Sequence, residues 1–445
     1  METGCFSPMD WAFEQWGSVD LGDQRRTARA VKLGASLAMN SCASLPVQAG
    51  CWAGAKAAYR LLNQPDVTHA KLSSAHWALT REAAGSSEEV VLFVQDGTEL
   101  NYSHHYETTG LGFGNDGQGQ ALELQSVLCV SGGSDATVMG LAYQAVWTRE
   151  HTPRKKTEKR FEREARRKES DVWAEVLEAI GTAQSPTWVS VGDRGSDIFT
   201  YLSRARALGW HCLLRARHNR RTDDPEGVLL LDRMRTLESQ AQTNLHLRAR
   251  PGAPARDVVL NVCWTQTTLL TPLKVRGTPI QVWCIRAWED SPDGLEWILL
   301  STLPVEQGVE ALEKLEWYRR RWLIEEYHKA LKTGCSMESR QMASRHGLEA
   351  LLGFLSIVAA LLLCMKNPNG TGRVPEQPRQ ALGKLIGRDL DPDNLHAFVR
   401  HVAMLGGFLG RKSDGEPGWQ TIWRGWNRLQ DIMLGMELVT GKRCG

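Results

Sequence analysis

Two short runs limit the fold more than anything else in this chain: residues 90–94 (VVLFV) and 188–191 (WVSV). A strand that is apolar at nearly every position and rich in β-branched side chains has no face to give to water. It belongs inside a sheet covered on both sides. An acid follows each run closely, Asp96 in the first case and Asp193 in the second, the latter inside the Gly-rich turn Gly192-Asp193-Arg194-Gly195-Ser196-Asp197. The carboxyl ends of such strands are where α/β sheets present their chemistry. The expected class is therefore α/β, a mostly apolar sheet with helices on both sides.

Further strands are expected at 124–130 and 137–145, a hairpin beside the first, and at 212–217 (CLLRAR), which leads into His218-Asn219-Arg220-Arg221. Helix signals then fade, and 245–250, 257–265, 280–287 and 295–302 alternate or run as strands between Gly and Pro turns. At 445 residues the chain exceeds what one hydrophobic core usually serves. It divides into a helical N-terminal part at 1–70, a sheet-based part at 71–370 carrying a β-rich insertion at about 220–303, and a helical C-terminal part at 371–445.

Apolar content of 42% and charged content of 23% are those of a globular protein. The net charge of +2 argues neither for nor against nucleic acid, because a local basic patch matters more to a polyanion than the sum. Ten cysteines without a C-x-x-C pair or zinc-type spacing read as reduced thiols of a cytoplasmic protein. The first residues lack the basic start and apolar stretch of a secretory signal. The most apolar run, 351–365, falls short of the roughly 20 residues that cross a bilayer. A buried helix is expected there, and no membrane partner.

Residues 317–332 (WYRRRWLIEEYHKALK) contain no Gly or Pro and read as one helix. On it, Tyr318, Arg321, Glu325 and Lys332 fall within roughly 60° of one another. A carboxylate flanked by Arg, Lys and a Tyr hydroxyl suits a divalent cation beside a phosphodiester, the acid on the metal and the others on phosphate oxygens. A solvated, salt-bridged face is the plain alternative. Similarly, Asp23 caps a helix whose basic side carries Arg25, Arg26, Arg29 and Lys32, and the charged run 154–169 reads as a self-paired exposed helix.

Asp96, Asp193 and Glu325 would meet at one sheet edge. Three acids there repel one another unless cations intervene, and a pair of Mg2+ ions relieves the repulsion, with Mn2+ able to substitute.

These residues resemble the cut-and-paste DDE transposases of bacterial insertion sequences, the group typified by the transposon-five transposase. The likeness runs over nearly the whole chain. Its most specific piece is Y-x2-R-x3-E-x6-K at Tyr318, Arg321, Glu325 and Lys332, with LGDQRRTAR, AYRLLNQPDVT, QDGTELNY, GDRGSDIFTYL and LGGFLGRKSDGEPGWQTIW beside it. The resemblance implies a ribonuclease-H-like core, and Asp96, Asp193 and Glu325 as the metal-binding catalytic triad. It implies that Tyr318, Arg321, Lys329 and Lys332 grip phosphates near the scissile bond, and that Trp297 stacks on a flipped base. Strand packing is the plain alternative for Trp297, since it lies in LEWILLST. Arg25, Arg26, Arg29 and Lys32 match the helix that contacts terminal inverted repeats, and Arg215, Arg217, His218 and Arg220 a basic strand end that follows the DNA backbone.

The same likeness implies that the C-terminal helices pair two copies into a homodimer on DNA, in a cytoplasmic, nucleoid-associated setting. Double-stranded DNA, both element ends and target, is the implied partner. The expected function is transposition by end nicking, hairpin formation and opening, and strand transfer. Its rivals are a metal-dependent nuclease without strand transfer, a DNA-binding regulator with an inert site, and a glycosidase built on paired carboxylates. The glycosidase leaves the Arg/Lys stripe unexplained.

Overall fold

The structure, a computed structural model, describes residues 8–440 except 116, 135, 150–167, 185–187, 248–254, 274, 367–373, 375 and 412–413. Of the self-paired helix expected at 154–169, residues 154–167 lie outside the described residues.

A single mixed sheet is built from β1 (Val91–Asn101), β2 (Ala121–Ser131), β3 (Val138–Trp147), β4 (Trp188–Gly192), β5 (His211–Arg215), β6 (Ala241–Leu247), β7 (Arg256–Leu269), β8 (Ile280–Trp288) and β9 (Glu296–Ser301). Its order is β3-β2-β1-β4-β5-β9-β8-β7-β6. β1 runs antiparallel to β2 and parallel to β4, and β4 is parallel to β5. This mixed half is the ribonuclease-H-like core. The insertion adds an antiparallel half through the β5–β9 pairing, so it extends the central sheet instead of forming a separate module.

Alternation along the central strands sorts their side chains between two cores. Leu92, Val94, Leu128 and Val191 point to one face, while Val91, Phe93, Val127 and Trp188 point to the other. On the second face the Phe93 ring lies 4.6 Å from both Trp188 and Trp210.

The N-terminal helices are α1 (Pro8–Trp16), α2 (Gln24–Met39), α3 (Leu45–Gln48), α4 (Trp52–Leu62) and α5 (His69–Gly85). Asp23 caps α2 as expected, its carboxylate accepting the Arg25 N–H at 2.8 Å. Next come α6 (Val172–Ile180), α7 (Phe199–Ala207), α8 (Leu230–Thr236), α9 (Gly308–Arg319), α10 (Trp322–Lys329) and α11 (Arg345–Lys366). The last three are α12 (Glu376–Ile386), α13 (Leu395–Leu405) and α14 (Trp419–Thr440).

α11 has 22 residues, because the polar turn at 345–350 adds to the apolar run. By length and composition it could cross a membrane, yet the fold encloses most of it. Trp16 of α1 packs on Phe354 of α11 at 5.1 Å, and one buried cluster continues from Ala12 to Met433. α13 and α14 cross at Gly406 and Gly425, where an added Cβ would meet Thr421 O and Val402 O.

Three expectations are corrected. β1 does not stop at Val94, because β2 goes on pairing with it as far as Asn101 opposite Ala121, so Asp96 lies within the strand. The insertion contains a helix, α8, seated by buried Leu230 and Met234. Residues 317–332 are not one helix but the end of α9, a turn at Arg320 and Arg321, α10, and a π-helical turn Ala330–Gly334. The break has tertiary anchors: Trp317 Nε1 donates to Gly132 O at 3.1 Å and Arg320 Nη1 to Ser131 O at 2.6 Å.

Candidate active site

β1 outruns its parallel neighbour. Pairing with β4 is recorded up to Val94 opposite Val191, and two residues further on come Asp96 and Asp193. Strands lie about 4.8 Å apart, so continuing that register sets the two acids side by side. Asp193 follows β4 directly and caps the turn Arg194–Ser196, accepting the Gly195 N–H at 2.7 Å. Asp96 accepts the Gly97 N–H at 2.9 Å.

Glu325 approaches from α10 through an intermediary. Arg321 gives Nη1 to Asp96 at 3.3 Å and Nη2 to Glu325 at 2.6 Å, so one guanidinium ties strand to helix. Burial, and then the neighbouring Asp193 charge, push the Asp96 carboxyl up to about 6 against the pull of Arg321. Ionised carboxylates crowded into a half-buried notch are a configuration that a further cation stabilises.

Tyr318 is buried, with its ring edge-on to Trp297 at 5.5 Å and the Arg321 guanidinium 5.9 Å from its centre. Arg215 donates to Glu296 O at 2.9 Å, and its charge acts on Tyr318. Trp297 thus packs within its strand and against Tyr318. Lys332, on the π-helical turn, donates to Glu99 O at 2.6 Å and lies 3.4 Å from Glu338. Lys329 turns the other way, pairing with Glu326 at 2.9 Å over the Trp322 ring.

The basic strand end divides. Arg217 and His218 are exposed and give their backbone N–H groups to Asp197, whereas Arg220 closes on that buried acid at 2.6 Å. On α2, Arg29 and Lys32 are exposed, Arg25 pairs with Asp23 at 3.0 Å, and Arg26 is tied to Leu21 O, Gln64 and Asp66. Arg26 thus braces α2 against the turn after α4. Sequence reasoning missed Arg194, which is exposed next to Asp193 and whose charge acts on Arg215. Its only signal was its place in the Gly-rich turn. It also missed Glu326, hidden in the Glu-Glu doublet.

The donors fit hard divalent cations in kind, since all three are carboxylates. In position, Arg321 stands between two of them, and among the described residues no group of three or more His, Cys, Asp or Glu side chains converges to hold a metal.

A ribonuclease-H-like sheet with acids at adjacent strand positions and a third on a following helix is the architecture of a nucleic-acid phosphoryl-transfer enzyme. Comparison with known families makes this specific. Residues 8–67 match Transposase DNA-binding, 157–362 Transposase DDE domain, and 384–443 Transposase Tn5 dimerisation domain. The chain belongs to the DDE transposases of the Tn5 type, enzymes that cleave and transfer DNA strands, bind DNA, self-associate and as a family depend on a divalent metal. Asp193 and Glu325 fall within the DDE match, and Asp96 precedes it. Among solved structures the chain is similar to a piggyBac transposase synaptic complex with hairpin DNA, at 10% identity and a TM-score of 0.40 over 92% of this chain and 76% of that one.

Proposed function

We propose that this chain carries out cut-and-paste transposition of an insertion sequence, with Asp96, Asp193 and Glu325 as its catalytic acids. The observation that supports this most is the joining of Asp96 and Glu325 through Arg321, beside Asp193 at matched strand register. The acids would hold Mg2+, with Mn2+ substituting, and the ions would supply an activated water or 3′-hydroxyl and charge neutralisation at phosphorus. Arg321 would take a phosphate oxygen once it releases a carboxylate, with Tyr318 beside it. Arg215 buttresses Tyr318, and Lys332 guards the β1 side of the notch. The steps are nicking at the element end, attack of the freed 3′-hydroxyl on the opposite strand, hairpin opening, and joining to target DNA. Trp297 offers a π-face to the base unpaired in the hairpin.

Residues 1–70 serve as the end-binding part, with Arg25, Arg29 and Lys32 towards phosphates, 71–370 as the catalytic part, and 371–445 as the pairing part. Glu325→Gln abolishes nicking of an end duplex while end affinity, followed by gel shift, holds. Persistent nicking by that variant would refute the assignment. Nicked ends without joined products would point to a nuclease alone.

A further inference from the structure

Helix α10 presents two successive carboxylates in different directions. Glu325 faces Asp96 by way of Arg321, while Glu326 faces the C-terminal helices. The Glu326 carboxylate, 14% exposed, collects Lys366 Nζ at 2.6 Å from the end of α11, Lys329 Nζ at 2.9 Å, and Trp419 Nε1 at 3.1 Å from the first residue of α14. Lys366 also lies over the Trp419 ring at 4.6 Å. Burial alone would raise this carboxyl, but the two lysines hold it down at about 2, so it stays charged. The helix that carries Glu325 is thereby fixed from behind by the region matching the dimerisation domain.

We infer that Glu326 is a positioning residue through which docking of the C-terminal helices sets the orientation of Glu325. The inference rests on Glu325 being a catalytic acid as proposed above. A rotation of α10 about this anchor moves the Glu325 carboxylate against two strand-borne acids that cannot follow, and small misplacements of a reacting group are costly.

The test is single-turnover nicking of an end duplex with Mg2+, at saturating DNA, by full-length chains. Lys366→Met and Trp419→Phe, neither at a site residue, lower the nicking rate constant roughly tenfold to a hundredfold. End affinity stays level, the melting temperature stays above the assay range, and Lys366→Arg recovers the rate. Unchanged rates in both variants overturn the inference while leaving the function intact, as does a loss that tracks melting or weakened DNA binding. Absence of nicking by the unsubstituted chain overturns both.

Discussion

Arg321 takes the position of a counter-ion inside the site, and its removal should separate electrostatic from catalytic roles. In Arg321→Met the Asp96 and Glu325 carboxylates lose their shared partner, and the metal-free protein loses about 3 kcal/mol in thermal unfolding. Mn2+ restores that stability and binds roughly tenfold tighter than to the unsubstituted chain, as read by electron paramagnetic resonance. Equal Mn2+ affinity in both would contradict the counter-ion role. Asp197 and Arg220 form a second enclosed pair, with side chains 0% and 11% exposed, and Arg220→Met costs about 3–5 kcal/mol in chemical denaturation. Asp193 was legible because its strand is apolar and its turn Gly-rich. Glu326 was not, since its partners Lys366 and Trp419 come from distant parts of the chain.

Elements carry the pH dependence. His76 joins three of them: its Nε2 accepts the Leu141 N–H of β3 at 3.0 Å, so its Nδ1–H donates to Gln15 of α1 at 2.7 Å, and the ring is neutral. Burial lowers His69 and His76 to about 4 and His328 to about 3 from an ordinary 6.5. Above 6.5 neither the folded nor the unfolded chain protonates these rings. As pH falls below 6.5 the unfolded chain takes up protons that the fold refuses, so stability declines by about 1.4 kcal/mol per pH unit per ring until the folded values are reached. A melting temperature that stays flat over that interval would contradict this. Gly425→Ala tests another junction, since its Cβ would meet Val402 O and force α13 from α14; self-association, followed by sedimentation, should weaken. Strand positions were readable because periodicity is local. The break between α9 and α10 was not, because Ser131 and Gly132, whose carbonyls anchor it, lie far back in the chain.

Over the whole molecule, the buried cluster passes without interruption from α1 through α11 to α14. Calorimetry should therefore record one cooperative transition, and a separate early melt of the N-terminal helices would contradict that continuity. Composition foretold a globular chain of several parts, but it could not tell that those parts share one interior. Nor could it tell that the insertion is joined to the catalytic half by a backbone ladder at β5 and β9. That ladder has a mechanical result for Trp297. Its indole is carried on a strand whose hydrogen bonds continue into the central sheet and stands braced against Tyr318, so the backbone beneath it has no hinge on which to swing outward. Under the proposed role, a base that meets that ring has to travel to it, and the bending falls to the nucleic acid.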